Sequence, residues 1–193
     1  ADVKNLTELD AKDYKLIIGD ICDKKILKSV FPQIDYVVHF AAESHVDNSI
    51  LSPDKFMSTN ILGTHNLLEA AREHSIKKFL YVSTDEVYGS ISKGSWDEEF
   101  PITPNSPYSA SKASADLIAL SFHKSYGMDV RISRCSNNYG PNQFPEKLIP
   151  FFISRLMKNQ PLPVYGNGKN IREWMHVSDC ASAILMVLLG GKI

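Results

Sequence analysis

Short apolar runs alternate along the chain with longer stretches in which apolar residues return every third or fourth position. Residues 14–19 (YKLIIG), 36–40 (YVVHF), 79–83 (FLYVS) and 130–134 (VRISR) are nearly continuous in apolar and β-branched character. Strands covered on both faces read this way, whereas half-exposed strands alternate. Between the runs, Lys24–Val30 and residues 56–73 and 108–126 have helical spacing. In the last of these, Ala113, Leu117, Leu120 and Phe122 form much of one apolar stripe. Strand–helix alternation requires right-handed crossovers, so the pattern predicts an α/β protein with a parallel, doubly wound sheet.

Beyond Arg134 the texture changes. Residues 137–145 (NNYGPNQFP) are rich in turn formers and read as a loop. Leu148–Met157 reads as a helix, residues 161–165 as a short extended piece, 166–169 as a turn, and 177–189 as a final helix with Ser178 or Asp179 near its start. No repeat, low-complexity tract or linker interrupts the chain. A dinucleotide site of the Rossmann type needs a glycine-rich turn between its first strand and first helix, where backbone NH groups meet a pyrophosphate. No such turn occurs, and the first glycine, Gly19, closes a predicted strand. The chain is therefore expected to begin after the first βαβ unit of the fold.

Composition narrows the function classes. A chain of 193 residues with 44% hydrophobic and 22% charged positions is ordinary for a globular protein of one or two domains. The net charge of −1 offers no basic field for nucleic acid or a membrane surface. Trp96, Trp174 and the tyrosines lack the basic interleaving that stacks nucleic-acid bases. Cys22, Cys135 and Cys180 are widely spaced, which suits reduced thiols in a cytoplasmic protein. No apolar run reaches the length of a membrane span, and Ala1 begins no signal peptide. The six histidines have no metal-binding spacing, so no metal is expected.

Two segments carry chemistry. In Tyr108-Ser109-Ala110-Ser111-Lys112 the Tyr and Lys share a helical face, so an ammonium can lie beneath a phenol and lower its pKa. Tyr and Lys are common on helices, and the spacing alone is equally that of a surface pair. Thr84-Asp85-Glu86 follows a predicted strand, at the carboxyl edge where open α/β sheets bind ligands. Adjacent carboxylates repel and separate their pKa values, giving the acid and base that elimination of water requires; in isolation the same triplet suits a capping turn.

The Tyr/Lys pair at this place resembles the extended short-chain dehydrogenase/reductase superfamily. Ser83-Thr84-Asp85-Glu86-Val87-Tyr88-Gly89 resembles one branch, the dTDP-glucose 4,6-dehydratases. Further matches are the run from Phe40 to Asp47, Thr59-Asn60, Cys135 to Pro141, Phe144 to Leu148, and Ile171 to Trp174. The resemblance implies NAD as cofactor and a nucleotide sugar, dTDP-glucose, as substrate. It implies catalysis by Thr84, Asp85, Glu86, Tyr108 and Lys112. Cofactor contacts implied are Asp20, Ile21, Phe40, Ala41, Ala42, Glu43, Ser44, Thr59, Tyr108, Lys112 and Asn138. Substrate contacts implied are Ser44, Thr84, Asn137, Lys147, Leu148, Pro163, Val164, Tyr165 and Arg172. Residues 1–134 would form an incomplete dinucleotide-binding Rossmann domain, and 135–193 part of a nucleotide-sugar-binding region interleaved with its last elements. A homodimer through helices 56–73 and 108–126 is expected as in the superfamily, with Ile61, Leu67 and Leu68 on one and Leu117, Ile118 and Leu120 on the other. A 4-epimerase or decarboxylase of the same superfamily, or a non-catalytic NAD-binding relative, stays open. The acidic couple favours dehydration.

Overall fold

Three of the four predicted strands form, and they pair in parallel. The structure, a computed structural model, describes residues 3–6 and 9–191. Strands β1 (Tyr36–His39), β2 (Lys78–Thr84) and β3 (Val130–Cys135) make one sheet in that order, with Tyr81 opposite both His39 and Ile132. Side chains alternate across a strand. Phe79, Tyr81 and Ser83 thus share one face of β2, and Lys78, Leu80 and Val82 share the other.

The helices cover both faces. On the first, α4 (Thr64–Glu73) and α5 (Pro107–Tyr126) bury Leu67, Leu68, Ala115, Ala119 and Phe122 in one core with Phe79 and Tyr81. On the second, the last turn of α7 (Val177–Gly190) offers its carbonyls to two strand cations. Arg131 Nη1 donates to Val187 O at 2.6 Å and Leu188 O at 3.1 Å, and Lys78 Nζ donates to Leu189 O at 3.0 Å. Positive charge at a helix C-terminus satisfies orphan carbonyls and opposes the negative end of the dipole.

Local chemistry sets the helix ends. In α5, Ser106 and Ser109 form a capping box, Pro107 occupies the first turn, and Gly127 closes the helix in a left-handed conformation. The predicted helix 56–73 starts earlier, as α3 (Pro53–Phe56), because Pro53 suits a first helical turn. It then widens through a π-type turn, Met57–Gly63, before α4 begins. Helix α1 (Lys24–Val30) is capped by the Asp23 side chain, and α2 (Val46–Leu51) is too short to leave a periodicity.

Residues 14–19 do not form the predicted strand. Leu16, Ile17 and Ile18 are exposed, and among the described residues no strand pairs with them. Apolar character reports a preference for burial, but a strand exists only through ladder hydrogen bonds to a neighbour.

The chain divides into two units, Gly19–Ser136 with Ser182–Ile193, and Ala1–Ile18 with Asn137–Ala181. In the second unit the predicted loop contains a short strand, β4 (Asn137–Tyr139), parallel to β5 (Trp174–His176). Strands of three residues are too short to register as an apolar pattern. Helix α6 (Leu148–Met157) forms as predicted, residues 161–165 are irregular, and Gly168 N closes the following turn on Tyr165 O at 3.2 Å. Among the described residues no helix is long and apolar enough to cross a membrane.

Candidate active site

The carboxyl end of β2 delivers Thr84, buried and extended, into a 3-10 turn, Asp85–Tyr88. One hydroxyl organises this turn. Thr84 Oγ1 accepts from Glu86 N at 3.2 Å and donates to Asp85 Oδ1 at 3.1 Å, so the two acidic residues are oriented by their own cap. The turn must end on glycine: Gly89 has φ 80°, and a Cβ there would run into the Thr103 carbonyl. Thr103 is held in place by its backbone NH on Val87 O at 3.0 Å and its hydroxyl on Tyr88 O at 2.7 Å.

Helix α5 brings Tyr108 to the same spot. Its hydroxyl hydrogen-bonds with the Thr84 side chain, which favours ionisation. Burial nevertheless pushes the phenol well above its ordinary pKa, helped by the nearby Glu86 and Asp85 carboxylates. Lys112 does not offset this. Its ammonium donates to Val82 O at 2.7 Å and lies 4.2 Å from the centre of the Tyr81 ring. The expected lowering of the Tyr108 pKa by Lys112 is therefore absent from this arrangement: sharing a helical face does not direct the charge to the phenol.

Lys112 is itself perturbed. Burial lowers its pKa to about 8, against the raising influence of Asp116 and Cys135. The unfolded chain holds this proton up to its ordinary value of 10.5. The cost of burying the ammonium is thus present in full below about pH 8 and is relieved as pH rises from there towards 10.5. Lys112→Met should therefore raise stability at neutral pH by at most about 3 kcal/mol, reduced by the loss of the bond to Val82 O. The gain should shrink steadily between pH 8 and 10.5 in denaturant titrations of the full-length protein.

The loop after β1 carries the cofactor residues implied by resemblance. Phe40 is exposed, and the small Ala41 and Ala42 leave the backbone open. Asn60, in the π-type turn, fastens this loop: its Oδ1 accepts from Glu43 N at 2.9 Å, and its Nδ2 donates to Glu43 O at 3.0 Å and Ser111 Oγ at 2.8 Å. Ser111 in turn donates to the Tyr108 carbonyl at 2.7 Å. One buried amide thus joins the loop to the Tyr/Lys helix, and neighbouring Thr59 is half-buried. Asp20 Oδ1 accepts from Cys22 N at 2.8 Å, and Ile21 packs where a Cβ on Gly63 would sit. Buried His39 contacts Thr64 Oγ1 at 2.9 Å, and burial holds its pKa down to about 3, so it is neutral.

The structure brings together Thr84, Asp85, Glu86, Tyr108 and Lys112 in the first unit. The other residues implied for substrate and cofactor belong to the second unit, Ser44, Thr59 and those of the first unit already described excepted. There Asn137 Nδ2 donates to Glu173 O at 3.2 Å, and Asn138 lies opposite Met175 in the β4–β5 pair. Lys147 precedes α6 at its N-cap position, without a side-chain capping bond, and Leu148 opens the helix beside a shallow hollow lined with Tyr139, Ile149 and Trp174. Pro163, Val164 and Tyr165 are exposed, and Arg172 donates to the Ile171 carbonyl at 2.8 Å. Among the described residues no group of His, Cys, Asp or Glu is placed to hold a metal.

Sequence reasoning passes over the roles of Asn60, Asp116 and Arg134. A carboxylate three residues from both Ala113 and Ala119, on the apolar stripe, is the available signal for Asp116. Arg134, at the end of a strand, offers none.

A three-layer arrangement of helices around a parallel sheet, with a Tyr/Lys helix meeting the turn after the middle strand, defines a Rossmann-type protein of the extended short-chain dehydrogenase/reductase class. The chain belongs to the GDP-mannose 4,6 dehydratase family, which it matches over residues 1–193. It is 53% identical over 192 residues to a dTDP-glucose 4,6-dehydratase of Streptomyces niveus, covering 99% of this chain and 57% of that protein. It also superposes on DesIV, a dTDP-glucose 4,6-dehydratase from Streptomyces venezuelae solved with NAD bound. There the TM-score is 0.97 and identity 50%, covering 99% of this chain and 60% of that one. A UDP-glucuronic acid 4-epimerase from Bacillus cereus, solved with NAD, has a TM-score of 0.87 and 30% identity, over 98% of this chain and 60% of its own. The chain thus spans little more than half the length of these relatives.

Proposed function

We propose that the full-length protein dehydrates dTDP-glucose to its 4-keto-6-deoxy product, with NAD as a recycled cofactor. The observation that carries this reading is the Thr84 hydroxyl, which ties Asp85, Glu86 and the Tyr108 phenol into one cluster. An epimerase needs the Tyr/Lys pair but has no use for an adjacent acid and base. The residues fit NAD: the loop 40–44 presents the small Ala41, Ala42 and Ser44 and a backbone clamped by Asn60, beside Tyr108 and Lys112. Asp20, Ile21, Phe40, Ala41, Ala42, Glu43, Ser44, Thr59 and Asn138 would complete its contacts.

When bound, NAD would supply a reversible hydride acceptor for an oxidation at carbon 4 and a reduction at carbon 6, so none would be consumed. Tyr108 acts as its phenolate: having given up its own proton, the phenol oxygen receives the proton of the 4-hydroxyl, with Thr84 holding that hydroxyl in line. Lys112, its ammonium held on the Val82 carbonyl and the Tyr81 ring, would contact the cofactor beside Tyr108. The 4-ketone acidifies carbon 5, Glu86 removes that proton, and Asp85 protonates the 6-hydroxyl as it leaves as water. Ser44, Asn137, Lys147, Leu148, Pro163, Val164, Tyr165 and Arg172 would hold the nucleotide sugar. Lys147 and Arg172 are the cations suited to its diphosphate.

The division of labour is residues 1–134 for the dinucleotide and 135–193 for the sugar nucleotide, in a cytoplasmic homodimer. Leu67 and Leu68 face their own core, so the pairing surface falls to Leu62, Leu117 and Leu120, which are exposed. Light scattering at micromolar concentration should give a dimer, and a monomer would remove that element. For the reaction, full-length protein incubated with dTDP-glucose should yield a product lighter by one water, with no net reduction of NAD. A product of unchanged mass, the 4-epimer, would replace this reading with an epimerase.

A further inference from the structure

One buried charge plays no part in this mechanism. Asp116 is fully buried on α5, one turn beyond Lys112 and two beyond Tyr108. Its Oδ2 accepts from Arg134 Nε at 2.9 Å, and the Ser83 hydroxyl and Lys112 ammonium lie close by. Arg134 sits opposite Ser83 in the β2–β3 register, which places it on the face of the sheet that α5 covers. The same guanidinium donates through Nη1 to the Tyr88 hydroxyl at 2.7 Å and to the Glu98 carbonyl at 3.3 Å. Tyr88 is the last residue of the Asp85–Tyr88 turn and stacks on Trp96.

This pair is an unusual use of charge. Every other ion pair among the described residues has a carboxylate at least partly exposed, whereas Asp116 has none of its side chain in contact with solvent. Burying two charges is no efficient way to add stability, because desolvation cancels much of the attraction. What the pair does supply is geometry. A guanidinium is a planar fork with donors in fixed directions, so it can hold a carboxylate and a phenol at once. Here the carboxylate belongs to the Tyr108/Lys112 helix and the phenol to the Asp85/Glu86 turn.

We propose that Asp116 and Arg134 are positioning residues that hold the acid–base turn in register with the Tyr/Lys helix, with the Tyr88 hydroxyl as the link. The proposal rests on the dehydratase reading for its kinetic consequence. Oxidation at carbon 4 draws on Tyr108 and Lys112, which are rooted in α5 itself. Elimination draws on Asp85 and Glu86, whose turn is fastened to α5 by Arg134. Loosening the fastening should therefore slow elimination selectively, by roughly 10- to 100-fold, as small misplacements of reacting groups do.

The test uses full-length protein carrying Tyr88→Phe or Arg134→Lys. Tyr88→Phe removes one acceptor and keeps the stacked ring, and Arg134→Lys keeps the charge facing Asp116 but not the fork. With dTDP-glucose, formation of reduced nicotinamide in a single turnover and KM should stay near wild type. Deuterium uptake from solvent at carbon 5 and loss of water should fall together. Amide hydrogen exchange without any substrate should rise across Asp85–Gly89 and remain unchanged in β1 and β3. Equal loss of both half-reactions, or no loss, would overturn the proposal, as would unchanged exchange in the turn. A wild-type protein that turns dTDP-glucose into its epimer would sink the dehydratase reading instead, and the exchange experiment would still decide the coupling. Asp116→Asn, which removes the charge that faces Arg134, serves as the severe variant; should it fail to fold, Tyr88→Phe decides between the outcomes.

Discussion

Tyr108→Phe in the full-length protein is expected to block oxidation of dTDP-glucose at carbon 4, lowering turnover by roughly 10²–10⁴-fold. The phenol is buried, bonded to the Thr84 hydroxyl, and pushed above its ordinary pKa by burial and by Glu86. In the resting arrangement it therefore keeps its proton, and it can serve as a base only after releasing it. Lys112 contributes no relief there, because its ammonium is committed to the Val82 carbonyl and the Tyr81 ring. Proton transfer has to be coupled to hydride departure, and removing the oxygen placed to receive the proton stops both. The phenylalanine ring preserves the edge contact with Phe56, so folding should be unaffected. Absorbance of reduced nicotinamide in a single turnover reads this step directly. Reduced nicotinamide appearing at the wild-type rate would show that another group takes the proton.

Glu86→Gln should have the opposite signature. Oxidation at carbon 4 should proceed, so reduced nicotinamide accumulates, while elimination slows by roughly 10²–10⁴-fold. The Glu86 backbone NH is anchored on Thr84 Oγ1, so glutamine inherits the position and loses only basicity. Removing the carboxylate also removes a negative charge near Tyr108, which should ease its ionisation and leave the first step no slower than before. Deuterium uptake from solvent at carbon 5 is the measurement. Uptake at the wild-type rate would reassign the base, and Asp85, oriented by the same Thr84 hydroxyl, would be the next candidate. Asp85→Asn should instead retain exchange at carbon 5 and lose departure of the 6-hydroxyl.

Much of the chain is legible in the sequence because its signals are local. The apolar runs of β1, β2 and β3 and the helical spacing of α1, α5, α6 and α7 all correspond to elements that form. The Thr84-Asp85-Glu86 and Tyr108/Lys112 segments are visible as residue types at fixed spacing, and the sheet brings them together. The failures share a cause. Residues 14–19 are apolar enough for a strand, but pairing depends on a neighbour. Leu67 and Leu68 suit a dimer surface by their spacing, but helix α4 turns them into its own core.

The sequence by itself determined the fold class, the placement of a Tyr/Lys helix after the strand at residues 79–83, and the presence of two adjacent carboxylates in the turn that follows that strand. Those features follow from periodicity and spacing, which act over a few residues. Only the tertiary structure decided where charges go. Lys112 and Tyr108 share a helical face, yet the ammonium turns to a strand carbonyl, because the middle strand offers an acceptor that the helix alone does not reveal. Asp116 and Arg134 are 18 residues apart with no motif linking them, and become partners because β3 packs its side chain against α5. Desolvation, which sets the pKa of Tyr108, Lys112 and His39, is likewise a property of what surrounds a group once the chain has closed around it.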